Sequence, residues 1–113
     1  MKYAFTITQG DLDPDLVLTV VNKAGQAQSL AAAVSVTAYM LHLSSGLKLS
    51  PPAAISDVDG GEVTVSWAPS FTATPGVYRV WLRFVFTGGK PRTVPYCPDG
   101  EDQILIEICP MAY

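Results

Sequence analysis

Apolar and polar side chains alternate along most of this chain with a period of two, which sends successive residues to opposite faces of a strand. Tyr3, Phe5 and Ile7 alternate with Ala4, Thr6 and Thr8. Gly10, Asp11, Asp13 and Pro14 supply turn chemistry, after which Leu16, Leu18 and Val20 share one face of a strand over 16–21. Asn22, Lys23, Ala24 and Gly25 close it as a turn. Residues 28–43 fit two patterns: Leu30, Val34, Ala38 and Leu41 stand at helical spacing, whereas Val34, Val36, Ala38 and Met40 alternate. The β-branched and aromatic residues there favour a strand over 34–43, ended by Ser44, Ser45 and Gly46.

Pro51 and Pro52 restrict 53–56 to a short edge strand, because proline cannot donate to a central ladder. Asp57 to Gly61 is a turn, and Val63, Val65 and Trp67 then share a face. Residues 69–75 read as a loop. The longest pattern follows: Tyr78, Val80, Leu82, Phe84 and Phe86 on one face, Val77, Arg79, Trp81, Arg83 and Val85 on the other. Gly88-Gly89 is a hairpin signal, with a short return strand expected over 92–96. Pro98, Asp99 and Gly100 turn the chain, and Ile104, Ile106 and Ile108 form a last strand. Seven or eight short strands with turns between them predict an all-β, immunoglobulin-like β-sandwich, one domain over residues 1–113. Gly76-Val77-Tyr78 stands where such sandwiches set a corner tyrosine, although the Cys-Trp-Cys pattern of antibody domains is absent.

Composition narrows the function. Only 15% of the 113 residues are charged, against a usual value of about 25%, so the surface is poor in charge and suited to being covered by partners. Seven basic residues against ten acidic ones give a net charge of −3, which disfavours nucleic-acid binding. The N-terminus lacks a continuous apolar core and a small-residue cleavage site, and no apolar run approaches a membrane span; a chain made in the cytosol, without membrane insertion, is expected. One histidine, His42, and two cysteines, Cys97 and Cys109, leave little catalytic inventory. The two cysteines read as free thiols rather than a disulfide framework.

Candidate sites are few. Asp11, Asp13 and Asp15 begin like a calcium loop, but Pro14 and Leu16 replace the turn and no acid follows at the required distance, so they read as turn residues, as do Asp57 and Asp59. No metal and no cofactor are expected. His42 reads as a surface or strand-end residue without an orienting carboxylate. Arg79, Trp81 and Arg83 lie on the strand face turned from the core, and Trp and Arg are the residue types most enriched at binding hot spots. The excursion after Gly88, with Lys90, Arg92 and Tyr96, is a second contact surface.

The order of these features resembles the N-terminal domain of phage baseplate upper proteins (the BppU type). It runs from Gly10-Asp11 and Pro14-Asp15-Leu16 through Ala24-Gly25-Gln26, Ser29-Leu30 and the strand over 34–43. Asp59-Gly60-Gly61-Glu62-Val63, Gly76-Val77-Tyr78, the Gly88-Gly89-Lys90 hairpin, Pro95-Tyr96 and the strand over 104–108 complete it. No single motif carries the resemblance; their order does. It implies an immunoglobulin-like sandwich in the virion, a symmetric homo-oligomer contacting other virion proteins as a tail, baseplate or fibre-attachment adaptor, with no catalytic residues. Family members usually carry a long extension after this domain; with 113 residues, any connector is expected from a partner. Two alternatives share the fold: a head or neck decoration protein, and a carbohydrate- or receptor-binding module using Trp81, Trp67 and Tyr96 as a platform. An enzyme would need His42 beside Cys97 or an aspartate cluster.

Overall fold

In the computed structural model, residues 5–21, 26–94 and 104–110 are described. They form nine strands: β1 (Phe5–Thr8), β2 (Leu16–Thr19), β3 (Ala33–His42), β4 (Lys48–Leu49), β5 (Ala53–Asp57), β6 (Glu62–Val65), β7 (Gly76–Phe86), β8 (Lys90–Val94) and β9 (Ile104–Cys109), with a 3-10 turn over Pro69–Phe71. The strands make two sheets. The larger runs β1-β9-β7-β3-β4, with β8 also on β7; the smaller runs β2-β6-β5. Four of the eight connections (β1–β2, β2–β3, β4–β5 and β6–β7) therefore cross between sheets, and the orders β2-β6-β5 and β3-β7-β9 match the two halves of an immunoglobulin-like sandwich.

Eight of the nine strands answer to the expected runs, and β4 is the addition. The return after β7 is split: β8 covers Leu82–Phe86 and β9 covers Gly76–Val80 along the same side of that strand. The two-residue β4, beside Met40 and Leu41, is too short to show as an alternation. Strand β5 lies at the edge of the small sheet, as Pro51-Pro52 required. The return strand starts at Lys90 rather than at 92. Tyr3, Tyr96, Cys97 and the turns expected at 22–25 and 98–100 lie outside the described residues.

The core lies between the sheets. Tyr78, Val80, Leu82 and Phe84 from β7 meet Val63 and Val65 from β6, with Ala38, Met40, Ile106 and Ile108 beside them. One inward assignment fails. Val34 is 70% exposed, because a bulge between Ala33 and Ser35 shifts the register before Val36 returns to the pattern. Trp67 belongs to the core at 7% exposure. Its indole stacks on Phe5 at 5.9 Å, and Nε1–H donates to the Pro14 carbonyl at 3.1 Å, tying β6 to the loop before β2.

Tyr78 holds the entry to β7. Its hydroxyl donates to the Thr74 carbonyl at 2.6 Å, the corner tyrosine that the Gly-Val-Tyr step suggested. His42, the last residue of β3, meets the Tyr78 ring edge-on at 4.8 Å. Gly76, at φ +138°, lets His42 lie against the backbone; a Cβ there would run into Nε2. These contacts fix where β7 starts, and so which of its residues face outward.

Candidate functional site

The outer face of the large sheet is built by register. Tyr39, Thr37 and Leu41 on β3 stand opposite Trp81, Arg83 and Arg79 on β7. Their neighbours Ala38, Met40, Val80 and Leu82 are buried, so this second set points away from the core. Tyr39 and Trp81 stack at 5.6 Å with ring planes 20° apart. Offset aromatic pairs of this kind contribute about 0.5–1.5 kcal/mol beyond their buried area. Arg79 lies between Leu41 and Leu105 in the cross-strand register. Its Nε is sequestered from solvent without a hydrogen-bond partner. Arg83 is exposed, and Lys48 on β4, opposite Leu41, joins the same face.

Arg79, Trp81 and Arg83 are thus brought together as their spacing predicts. Lys90 and Arg92 are not brought to them. They pair with Phe86 and Phe84, which puts them on the core-facing side of β8, yet both are exposed. Tyr96 lies outside the described residues. The sequence reading did not single out Tyr39 as the stacking partner of Trp81. Its signal was its position between Ala38 and Met40, on the face opposite theirs; the missing information was the β3–β7 register.

His42 is buried at 6% exposure, not at the surface, although it does end a strand. The Ser45 backbone N–H donates to Nδ1 at 3.2 Å, and the Ser45 and Ser44 hydroxyls lie at 2.7 and 3.3 Å from the same nitrogen. Nδ1 is therefore the acceptor, and Nε2–H donates to the Pro75 carbonyl at 2.9 Å. Both ring nitrogens are engaged in joining the β3 end to the β7 entry. Asp57 accepts the Gly60 N–H at 3.0 Å, the turn-capping role expected of it, and Asp11, Asp13 and Asp15 are all exposed. Cys109 is a free thiol donating to Glu107 Oε1 at 3.6 Å; desolvation first, then Glu107, pushes its pKa up. No helix among the described residues is long and apolar enough to cross a membrane.

The carbohydrate platform envisaged from Trp81, Trp67 and Tyr96 loses Trp67, which is core. What remains on the open face is one stacked pair across β3 and β7, bracketed by two arginines. Compared with family models, curated proteins and solved structures, the chain gives no match to any.

Proposed function

We propose that this chain is a non-catalytic structural subunit of a phage particle, a tail, baseplate or fibre-attachment adaptor that joins a symmetric assembly through the outer face of its large sheet. The observation that carries the association is the Tyr39–Trp81 stack beside Arg79, whose Nε is desolvated and unpaired. The half-buried aromatic pair leaves apolar area that a partner would remove from water. Trp and Arg are also the residues that most often dominate binding energy. The virion context rests on the order of motifs that resembles the baseplate upper protein domain.

The test is to purify particles from cells producing this chain and its phage and to quantify the chain by mass spectrometry. The expected result is incorporation at a fixed stoichiometry, lost in a variant carrying Trp81→Ala. Absence of the wild-type chain from purified particles would remove the virion reading. A glycan-binding module remains the second reading, because the half-buried aromatic pair lies on the outer face, where a sugar could approach a ring. Quenching of Trp81 fluorescence by a defined glycan, with no chain in particles, would favour it.

A further inference from the structure

Charge is divided between the two sheets. Among the described residues, all five Lys and Arg (Lys48, Arg79, Arg83, Lys90 and Arg92) stand on strands of the large sheet. Of the seven described acids, six stand on the small sheet or on segments leading into it: Asp11, Asp13, Asp15, Asp57, Asp59 and Glu62. Glu107 on β9 is the exception; Asp99, Glu101 and Asp102 lie outside the described residues. The outer face of the large sheet itself carries Lys48, Arg79 and Arg83 around the aromatic stack, with Glu107, opposite Val77, as its one described acid.

The opposite face of the sandwich has the complementary form. On β2, β5 and β6 the outward positions are Val17, Thr19, Ala54, Ser56, Glu62 and Thr64. The side chains other than Glu62 are short, and Val17 is 52% exposed. The Thr64 hydroxyl donates to Ser56 Oγ at 2.9 Å and Ser56 Oγ donates to Glu62 Oε1 at 2.8 Å, a chain of hydrogen bonds that holds the carboxylate over β5. A low, acid-edged surface fits a raised aromatic pair flanked by arginines, both in shape and in charge.

From this complementarity we propose that the outer face of the large sheet docks onto the outer face of the small sheet of a second copy of this chain, head to tail. The proposal rests on the assembly reading and names its partner. A two-fold contact of the large sheet with itself would bring together two faces that each carry three basic residues against one acid, and like net charge across an interface disfavours it. A contact between two different surfaces propagates, closing into a ring or continuing as a filament. Each interior copy would use both faces, which brings an acid to the arginine pair and buries Tyr39 and Trp81.

Two variants test it, one per face: Arg83→Glu, and the double variant Asp59→Lys with Glu62→Lys, each checked for an unchanged fold by circular dichroism. Mass is read by sedimentation and light scattering. The wild type is expected to be multimeric at about 0.1 M salt and to dissociate towards about 1 M, where the screening length falls from about 10 Å to about 3 Å. Each variant alone is expected to be monomeric, and an equimolar mixture to associate again, since the two wild-type faces pair and the two charge-reversed faces are complementary to each other. Dimers of the acidic-face variant by itself would overturn the proposal in favour of a two-fold contact. A monomeric mixture would also overturn it. A wild type that is monomeric in solution yet incorporated into particles would remove the head-to-tail contact and leave the assembly reading standing; absence from particles would remove that reading instead.

Discussion

Replacing Trp81 with alanine separates a binding side chain from a packing one. Trp81 is only half-buried, and its main contact on its own sheet is the Tyr39 stack. Losing that stack costs the fold about 0.5–1.5 kcal/mol. At about 4 °C per kcal/mol for a chain of this size, loss of the stack alone lowers the melting temperature by about 2–6 °C, with the buried area of the ring adding to it. A core residue of the same strand sets the contrast: Phe84 is 0% exposed, and its truncation costs about 3–5 kcal/mol, or about 12–20 °C. If Trp81 anchors an interface, its removal costs association about 2 kcal/mol or more, roughly a 30-fold rise in Kd. Calorimetry and sedimentation on Trp81→Ala, Phe84→Ala and Trp81→Ala with Tyr39→Ala read both quantities. The expected pattern is a small shift in melting with a large loss of association for Trp81→Ala. A melting loss as large as that of Phe84→Ala, with oligomer mass unchanged, would refute the reasoning and make Trp81 a packing residue.

Tyr78→Phe removes the hydrogen bond to Thr74 and is expected to cost about 1 kcal/mol, read by urea unfolding. Burial pushes the Tyr78 phenol above its ordinary value of 10.0. The folded chain then keeps a proton that the unfolded chain releases, so wild-type stability falls as pH rises above roughly 10; the Phe variant should fall less steeply in the same titration. Gly76→Ala puts a side chain at φ +138° and against His42 Nε2, costing about 1–3 kcal/mol from backbone strain alone and shifting the imidazole NMR signals as the Pro75 bond is lost. Arg83→Ala is expected to weaken association while Arg92→Ala leaves it unchanged, since the two project from opposite faces of the paired strands β7 and β8; equal effects in sedimentation would contradict that division.

Local pattern carried far into the fold. Alternation located β3 in a stretch where helix spacing competed, because Val36, Thr37 and Tyr39 suit a pleated surface better than a helix. The proline pair assigned β5 to an edge, and the step Gly76-Val77-Tyr78 announced the corner bond to Thr74. Information that depends on distant pairing was not legible. The parallel contact of β1 with β9 joins Phe5 to Ile106, and nothing in either segment alone specifies its partner. The bulge that exposes Val34 is likewise a property of the β3–β7 ladder. The candidate site divides the same way. Outward parity identified Arg79, Trp81 and Arg83, whereas the assignment of Tyr39 to Trp81, and of Lys90 and Arg92 to the other side, required the register on both edges of β7.

Sheet stability by itself is a weak account of the outer face. Strand β7 is central, flanked by β3 on one side and β8 and β9 on the other, and its inner face already buries Tyr78, Val80, Leu82 and Phe84. A cross-strand pair of threonines or valines at Tyr39 and Trp81 would hold β3 to β7 by about 0.2–1 kcal/mol, close to what the aromatic stack gives, with far less apolar area left open to water. Arginine at 79 is harder still to explain as sheet packing, because its Nε is withdrawn from solvent and bonded to nothing. Both features cost the isolated chain something and give it little in return. The open part of the aromatic pair becomes favourable once a partner surface removes it from water, the role we propose for the β2-β6-β5 face of another copy.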